Sequence, residues 1–294
     1  MNLYRYPGET QILTDEIRAT TSGKYVPLSQ GITHYELAGP EDAPTVVLIH
    51  GFSVPYPIWD PVFIALIAEG FRVLRYDLFG RGTSDRPKVA YDHDLFDRQL
   101  VELLDVLELG SGLDLMGLSM GGSILAVFCD RHPEWVRRMV FIDPAGFQVN
   151  SMIWVRLLTL PLLGELAFSL MGEKVLMASV TKEYSDTDRY PEYIDIVREQ
   201  MRFVGYRQAL LSTIRGGVLG DISNTYHRIG KQDRPALLIW GTKDQVVPFE
   251  LSEKVCQAIP HIEFHPIHGA GHVPHYEKPH VVNPLIIDFL QRLA

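Results

Sequence analysis

Short apolar runs alternate with longer amphipathic segments along the first half of the chain. Residues 45–50 (TVVLIH) are apolar almost throughout, which is typical of a fully buried strand. Leu100, Leu103, Leu104 and Leu107 recur at helical spacing and predict a helix over residues 95–109. Strands that alternate with helices predict a mostly parallel sheet covered by helices on both faces. The other elements predicted in this half are strands at 31–37, 71–76, 113–118 and 138–142 and helices at 59–69 and 120–131.

The pattern changes after Gly146. Residues 148–229 are helical in character and contain no run typical of a buried strand. Afterwards the earlier pattern returns, with predicted strands at 235–240 and 263–267 and predicted helices at 250–258 and 279–293. The sequence therefore predicts an α/β core formed by residues 1–146 and 230–294, with a helical cap inserted at 147–229.

The insertion begins with the most apolar stretch of the chain, residues 152–171. Arg156, Pro161 and Glu165 interrupt it, and a charged residue at the centre of a membrane helix costs about 2.5–3.5 kcal/mol, so we do not expect a membrane span. The favoured interpretation is cap helices that face an apolar pocket; the alternative is that these residues only pack the cap on itself. The residues predicted to line the pocket are Trp154, Leu158, Leu162 and Phe168, with Leu157, Leu163 and Met171 as further candidates.

Composition and charge limit the classes of partner. The chain has 294 residues, 46% of them hydrophobic, which is ordinary for a globular protein. Its 27 Lys and Arg against 36 Asp and Glu give a net charge of −9, which argues against nucleic acid or an anionic membrane surface as a partner. Cys129 and Cys256 are too few for a disulfide framework, and residues 1–10 contain no apolar secretory signal. We therefore expect a soluble, cytoplasmic protein that does not bind polyanions; composition alone does not indicate an enzyme.

A serine stands at a predicted turn between a strand and a helix. The segment Gly117-Leu118-Ser119-Met120-Gly121 fits the pattern G-x-S-x-G in the setting that this motif needs. Such a turn holds the serine in a strained conformation with its hydroxyl clear of the sheet, and bulky side chains two positions away would clash. The following helix directs its free N–H groups at an oxygen that becomes anionic. Ser119 is the candidate nucleophile; the alternative is a glycine-rich turn with an inert serine.

The predicted strand at 45–50 leads into the loop His50-Gly51-Phe52. The backbone N–H of Phe52 in this loop can pair with that of Met120 to form an oxyanion hole. An ordinary glycine turn after a strand would have the same sequence, so this segment supports catalysis only in combination with Ser119.

Two aspartates follow predicted strands and are candidates for the acid that orients a catalytic histidine. Asp244 follows the strand at 235–240, and Asp143 follows the strand at 138–142. Groups that act on ligands lie at the carboxyl ends of parallel strands, so both positions are suitable. We favour Asp244, because Asp143-Pro144 also fits the turn that begins the cap.

Five histidines crowd the last part of the chain: His265, His268, His272, His275 and His280. The spacing of His268 and His272 suits a metal on a helix face, but two intervening glycines argue against a helix and no H-E-x-x-H pattern is present. No metal is therefore expected. His272 lies in a glycine-containing loop after the last predicted strand, from which its ring can reach Ser119. The order Ser119, Asp244, His272 is the one that α/β-hydrolase topology imposes.

With these residues identified, the chain resembles the α/β-hydrolase superfamily over nearly its whole length. The resemblance rests on five segments, which are His50-Gly51-Phe52, residues 77–85 (DLFGRGTSD), the elbow at 117–122, residues 241–244 and Gly271-His272. The chain is most similar to capped carboxylesterases and monoacylglycerol-lipase-like enzymes with Gly-x-Ser-Met-Gly-Gly elbows.

The resemblance implies a role for each of these segments. Ser119 is expected to be the nucleophile, His272 the base and Asp244 the orienting acid, with Phe52 and Met120 as oxyanion donors. Residues 77–85 are expected to form a structural loop in which an arginine and two aspartates make local hydrogen bonds.

The expected activity is hydrolysis of carboxylic esters with small to medium apolar acyl groups, through an acyl-enzyme and without metal or organic cofactor. The serine at the elbow is unlike the aspartate of haloalkane dehalogenases and epoxide hydrolases. Residues 51–55 lack the Gly-Pro-Gly run of many C–C bond hydrolases of this fold. The triad alone does not separate an esterase from a lactonase, amidase or peptidase, C–C bond hydrolase or perhydrolase, so these stay open. A non-catalytic receptor is a further alternative. The presence of every expected catalytic residue in the sequence argues against it.

Overall fold

The computed structural model describes residues 5–148, 160, 162–184 and 191–292, and the described chain is organised around one eight-stranded sheet. The strands lie in the order β1-β2-β4-β3-β5-β6-β7-β8. Strands β1 and β2 run antiparallel to each other, β2 is antiparallel to β4, and every later pairing is parallel. The strands are β1 (Lys24–Leu28), β2 (Gly31–Ala38), β3 (Thr45–Ile49), β4 (Arg72–Tyr76), β5 (Leu113–Leu118), β6 (Val136–Ile142), β7 (Ala236–Gly241) and β8 (Glu263–Ile267).

Helices cover both faces of this sheet. Because side chains alternate along a strand, Val47 and Ile49 of β3 pack into one apolar cluster while Val46 and Leu48 pack into the other. The predicted α/β fold with a mostly parallel central sheet is confirmed. The described helices are α1 (Asp15–Ala19), α2 (Asp60–Ala68), α3 (His93–Val106), α4 (Met120–Arg131), α5 (Leu163–Val180), α6 (Pro191–Gln200), α7 (Tyr206–Arg215), α8 (Ser223–Ile229), α9 (Ser252–Ala258), α10 (Pro274–Glu277) and α11 (Pro279–Gln291).

The described residues between β6 and β7 form the helices α5 to α8 and add no strand to the sheet. Helix α8 packs against α4, and its residues Tyr226 and Ile229 belong to the same apolar cluster as the core of the sheet. The limits of the predicted cap stay a prediction. No helix among the described residues has the length and apolar character needed to cross a membrane.

Three elements of the structure are not predicted by the hydrophobic pattern of the sequence. Strand β1 contains Pro27 and has only Val26 buried, so it lacks the apolar run of a central strand and lies at the edge of the sheet. Helices α1 and α10 are only one turn long, too short for an apolar period to show. Helix α3 begins at His93, earlier than predicted, because the side chain of Asp92 accepts a hydrogen bond from the N–H of Leu95 and caps the helix.

Candidate active site

Ser119 occupies the sharp turn between β5 and α4. Its φ is 53° and its ψ is −117°, a strained conformation for a residue with a side chain. The turn is too tight for side chains at the flanking glycines: a Cβ atom at Gly117 would lie 2.4 Å from the carbonyl oxygen of Gly121. A Cβ atom at Gly121 would lie 2.1 Å from the carbonyl oxygen of Ile49. The glycines of the motif are therefore steric requirements of the turn.

His272 and Asp244 form a buried hydrogen-bonded pair. Asp244 follows β7, His272 follows β8, and Nδ1 of the ring lies 2.7 Å from Oδ2 of the carboxylate. The other oxygen of Asp244 accepts from the N–H groups of Val246 at 2.8 Å and Val247 at 2.9 Å, so the turn after β7 fixes the carboxylate. The N–H of His272 donates to the carbonyl oxygen of Glu183 at 2.6 Å. The ring is thus held in the tautomer that leaves Nε2 free to accept a proton.

The sheet brings Ser119 to the edge where this pair lies. Strands β5, β6, β7 and β8 are parallel neighbours, so their carboxyl ends, and the residues that follow them, meet at one edge. Among the described residues, no hydrogen bond joins the hydroxyl of Ser119 to His272. In free enzymes such catalytic hydrogen bonds are often long and tighten when substrate binds.

The surroundings of His272 favour its protonated form. Burial alone lowers the pKa of the ring, but the charge of Asp244 and the hydrogen bond to it act in the opposite direction, and the carboxyl groups of Glu183 and Glu277 add to them. The net result is a pKa raised above the ordinary value of 6.5. The ring is therefore able to hold a proton that it takes from a nucleophile.

Asp143, the alternative acid in the sequence, lies beside Asp244 and does not bond to the histidine ring. It follows β6 with a φ of 42°, is fully buried, and accepts a hydrogen bond through Oδ1 from the N–H of Gly241 at 2.8 Å. Burial and the neighbouring charge of Asp244 raise its pKa well above the ordinary value. The contact with His272 favours Asp244 as the orienting acid.

Asp143, Asp244 and His272 also meet a requirement of a metal site. Among the described residues, they form a group whose ligand atoms all lie within 4.8 Å of one another. The Nδ1 atom of His272 already donates to Asp244. A cation would have to displace that proton, so the arrangement suits an Asp–His pair better than a metal site.

The predicted oxyanion loop lies against Ser119, the candidate nucleophile. A Cβ atom at Gly51 would lie 3.5 Å from the Cβ atom of Ser119, which brings the following N–H, that of Phe52, close to the serine. Met120 is the first residue of α4, so its N–H has no acceptor within the helix. Both predicted donors therefore belong to segments next to Ser119, and their role as an oxyanion hole stays a prediction.

His50 fixes the peptide group that carries the Phe52 N–H. Its Nε2 atom accepts from the N–H of Leu78 at 3.0 Å, so the proton resides on Nδ1, which donates to the carbonyl oxygen of Gly51 at 2.9 Å. Burial lowers the pKa of this ring to about 4, so it stays neutral near neutral pH. Because C=O and N–H of a trans peptide point in opposite directions, holding the oxygen of Gly51 also orients the N–H of Phe52.

Arg81 fixes the next peptide group, with hydrogen bonds that extend beyond the local ones expected of the arginine in residues 77–85. The buried guanidinium donates to the carbonyl oxygens of Phe52 at 2.9 Å and Phe79 at 3.2 Å, and to the hydroxyl of Thr213 on α7 at 2.9 Å. Burial lowers its pKa to about 10, which leaves it charged. The sequence could not show this role, since it depends on residues far away along the chain.

The remainder of the 77–85 segment has the structural character expected of it. The carboxylate of Asp77 accepts from the N–H groups of Tyr56 and Thr83, both at 3.0 Å, and from Nδ1 of His34 at 2.7 Å. The hydroxyl of Ser84 donates to the carbonyl oxygen of Asp77 at 2.7 Å. These bonds hold the loop that carries Arg81.

Glu183 is a buried acid near His272 and Asp244, and no pattern in the sequence indicates it. It follows α5, its carboxylate accepts a hydrogen bond from the hydroxyl of Tyr193, and its side chain lies against Ser53. Burial raises its pKa above the ordinary value, while the proximity of His272 acts in the opposite direction. No motif marks this position, because the segment between β6 and β7 has only a general helical pattern.

The predicted pocket lining is only partly described. Trp154, Leu157 and Leu158 lie outside the described residues. Leu162, which precedes α5, is 83% exposed, so the structure does not bury it, and its place in the pocket lining stays a prediction. Phe168 is buried, with its ring edge-on to that of Tyr6 at a centroid distance of 6.0 Å, and its role in the pocket stays a prediction.

Known proteins share this sequence pattern and this fold. A carboxylesterase of Bacillus subtilis, YbfK, is 27% identical over 270 residues, which cover 90% of this chain and 86% of the relative. A 2-hydroxy-6-oxononadienedioate/2-hydroxy-6-oxononatrienedioate hydrolase of Paraburkholderia phymatum is 26% identical, over 95% of this chain and 99% of the relative. The crystal structure of an enol-lactonase from Burkholderia xenovorans superimposes with a TM-score of 0.79 at 24% identity, over 92% of this chain and 100% of that one, which supports the fold. A model of the alpha/beta hydrolase family matches residues 46–285. With most of its length matched in this way, the chain belongs to the alpha/beta hydrolase family.

Proposed function

We propose that this hydrolase cleaves carboxylic esters through an acyl-enzyme formed on Ser119. The observation that carries the proposal is the buried Asp244–His272 hydrogen bond of 2.7 Å, at the sheet edge where the strained turn presents Ser119. An aspartate that fixes the tautomer of a histidine beside a serine at a strand-to-helix turn is the arrangement required for nucleophilic catalysis.

In the first half of the reaction, the hydroxyl oxygen of Ser119 attacks the ester carbonyl carbon while Nε2 of His272 takes the hydroxyl proton. The carbonyl oxygen becomes an oxyanion and accepts hydrogen bonds from the N–H groups of Phe52 and Met120. Each such donor contributes about 2.7–4 kcal/mol to the stability of the transition state. The tetrahedral intermediate collapses, the ester C–O bond breaks, and His272 gives its proton to the leaving alkoxide.

In the second half, water replaces the alcohol. The ring of His272 takes a proton from the water, whose oxygen attacks the acyl carbon of the ester to Ser119. Collapse of the second tetrahedral intermediate releases the carboxylic acid and returns the proton to the serine oxygen. All groups needed for these steps belong to the chain, so the proposal includes no metal or organic cofactor.

We propose small to medium, uncharged and moderately apolar acyl groups as the preferred substrates. The buried acid Glu183 lies near His272 and against Ser53, next to the oxyanion loop. A carboxylate on the substrate would have to lose its solvation beside another buried acid there, which is unfavourable. Phe52, whose N–H is the proposed oxyanion donor, adds a partly buried apolar side chain to the same loop.

C–C bond hydrolysis is the second candidate, since the relative from Paraburkholderia phymatum matches 95% of this chain. The substrate named for that relative is a dioate, which carries two carboxylates. The position of Glu183 argues against such a substrate for this chain. The two candidate functions therefore differ in the charge of the substrate, which is neutral for the ester and negative for the dioate.

A substrate panel tests the proposal. We expect turnover of neutral p-nitrophenyl esters of short to medium chain length, and at least about tenfold lower kcat/KM for an ester of matched length that ends in a carboxylate, equivalent to 1.4 kcal/mol of transition-state discrimination. Faster turnover of the carboxylate ester, or of a dioate C–C substrate, would contradict it. The unpaired thiols of Cys129 and Cys256 accord with the cytoplasmic location that we also propose.

A further inference from the structure

Asp143 and Asp244 place two buried carboxyl groups side by side behind the histidine of the proposed triad. Carboxyl oxygens of both residues and a ring nitrogen of His272 lie within 4.8 Å of one another. Asp143 is fully buried, and the side chain of Asp244 is too. Two ionised carboxylates at this separation and depth repel each other strongly, so one of them has to hold a proton.

The hydrogen bonds of Asp244 identify it as the ionised member. An ionised carboxylate has about four lone-pair sites and no proton to donate. Three donors already point at Asp244, namely the N–H groups of Val246 and Val247 on Oδ1 and the ring of His272 on Oδ2. One acceptor site on Asp244 is therefore left for a further donor.

The hydrogen bonds of Asp143 identify it as the protonated member. Its Oδ1 accepts from the N–H of Gly241, while its buried Oδ2 meets no donor among the described residues. An ionised oxygen in that position would be both desolvated and unsatisfied, which is costly. With a proton, the same oxygen becomes a donor whose neighbour, Asp244, has an acceptor site to fill.

We propose that Oδ2 of Asp143 carries a proton and donates a hydrogen bond to the carboxylate of Asp244, which makes Asp143 a positioning residue for the triad. The inference rests on the proposed role of Asp244. The proton stays on Asp143 throughout the reaction, and its hydrogen bond occupies the last acceptor site of Asp244. That carboxylate is then held by four donors and keeps one orientation toward His272.

The charges around the pair agree with this assignment. Two further acids face the pair. Glu277 on α10 accepts through Oε1 from the N–H of Gly271 at 2.6 Å, and Glu183 interacts electrostatically with Asp244 and His272. His275, also on α10, is neutral, because burial lowers its pKa to about 3. Further negative charge at Asp143 would add to an acidic environment, and burial together with Asp244 raises its pKa.

Infrared difference spectroscopy of wild type against Asp143→Asn tests the protonation state directly and needs no substrate. We expect the wild type at neutral pH to show the C=O stretch of a protonated carboxylic acid that the variant lacks. Asp105→Asn, at an exposed position of α3, is the matched control and is expected to remove carboxylate bands only. Carboxylate bands in the Asp143 difference spectrum would overturn the proposal, whether or not the enzyme cleaves esters.

The pH profile of kcat/KM gives a second and independent test. In Asp143→Asn the amide can accept from Gly241 and donate to Asp244 as the protonated acid does, so we expect the acid limb to stay within about 0.3 pH unit of wild type. If Asp143 were ionised, the same change would remove a negative charge near His272 and lower the midpoint by about 1 unit or more.

Asp143→Ala keeps the proposal testable if the asparagine variant does not fold. Loss of the donor leaves the charge of Asp244 less dispersed, so this carboxylate stabilises the protonated ring of His272 more strongly. We expect the midpoint of the acid limb to rise in Asp143→Ala, and a fall would overturn the proposal. A purely structural residue would change the melting temperature without moving this midpoint. Absence of ester turnover in wild type would instead count against the proposed function, and the infrared result would still stand.

Discussion

Replacing His50 with phenylalanine separates the positioning of the oxyanion loop from the chemistry of the triad. The ring of His50 is fully buried and makes two hydrogen bonds, one with the N–H of Leu78 at 3.0 Å and one with the carbonyl oxygen of Gly51 at 2.9 Å. Phenylalanine keeps an aromatic ring in the same space and makes neither bond. The peptide group that carries the N–H of Phe52 then loses the contact that orients it.

Two magnitudes follow from this geometry. A buried polar group left without a partner costs about 1–3 kcal/mol, so losing both bonds should lower the free energy of unfolding by about 2–6 kcal/mol. Loss of one oxyanion donor costs about 2.7–4 kcal/mol of transition-state stabilisation, which corresponds to about 10²–10³ in kcat. KM should change little, because the hydrogen bond to the oxyanion strengthens only in the transition state.

The assay compares kcat and KM for a neutral p-nitrophenyl ester with the thermal unfolding of each variant. His275→Phe is the matched control: His275 is equally buried, and its ring lies tilted against that of Trp59 at a centroid distance of 4.6 Å, but among the described residues it makes no hydrogen bond to the oxyanion loop. We expect this control to keep kcat within about threefold, a difference below 1 kcal/mol in the barrier. A folded His50→Phe variant with kcat near wild type, or an equal loss in the control, would refute the reasoning.

Three further outcomes follow from the same structure. The acid limb of the pH profile of kcat/KM should have its midpoint above 6.5, because His272 must be neutral to accept a proton and its pKa is raised. Glu183→Gln should lower that midpoint by removing a nearby negative charge. An unchanged midpoint in this variant would contradict the prediction. Arg81→Lys should reduce kcat by about tenfold or more, because an ammonium cannot reproduce the guanidinium's hydrogen bonds to separate carbonyl oxygens, and full activity would argue against a positioning role. Gly121→Ala should destabilise the protein by about 3 kcal/mol or more in denaturant unfolding, because its Cβ atom would lie 2.1 Å from a backbone oxygen. Gly110→Ala is the control and should be close to neutral, because a Cβ atom added there would have no neighbouring atom within 4 Å.

The fold and the contact between Asp244 and His272 could be predicted from the sequence, because both depend on local patterns and on where the strands end. A buried strand such as β3 has a continuous apolar run, and the turn at Ser119 requires glycines whose spacing can be seen directly. The carboxyl ends of parallel strands meet at one edge, so the residues that follow β7 and β8, among them Asp244 and His272, are expected to lie together there.

The supporting contacts could not be predicted, because each depends on residues far apart in the sequence. Arg81 reaches the carbonyl oxygen of Phe52 and the hydroxyl of Thr213, and nothing near position 81 indicates either partner. Glu183 lies beside His272 only after the chain has folded back over the sheet edge. Apolarity alone predicts a pocket position for Leu162, but apolarity does not tell which side of a chain faces solvent, and this side chain is 83% exposed.

Labelling with a fluorophosphonate, followed by mass mapping of the peptides, tests the central claim most directly. This reagent reacts with a serine only when a neighbouring base activates its hydroxyl, and it needs no knowledge of the natural substrate. We expect one adduct, on the peptide that contains Ser119, no adduct in Ser119→Ala, and much slower labelling in His272→Ala. An adduct on another residue, or undiminished labelling of Ser119→Ala, would contradict the account.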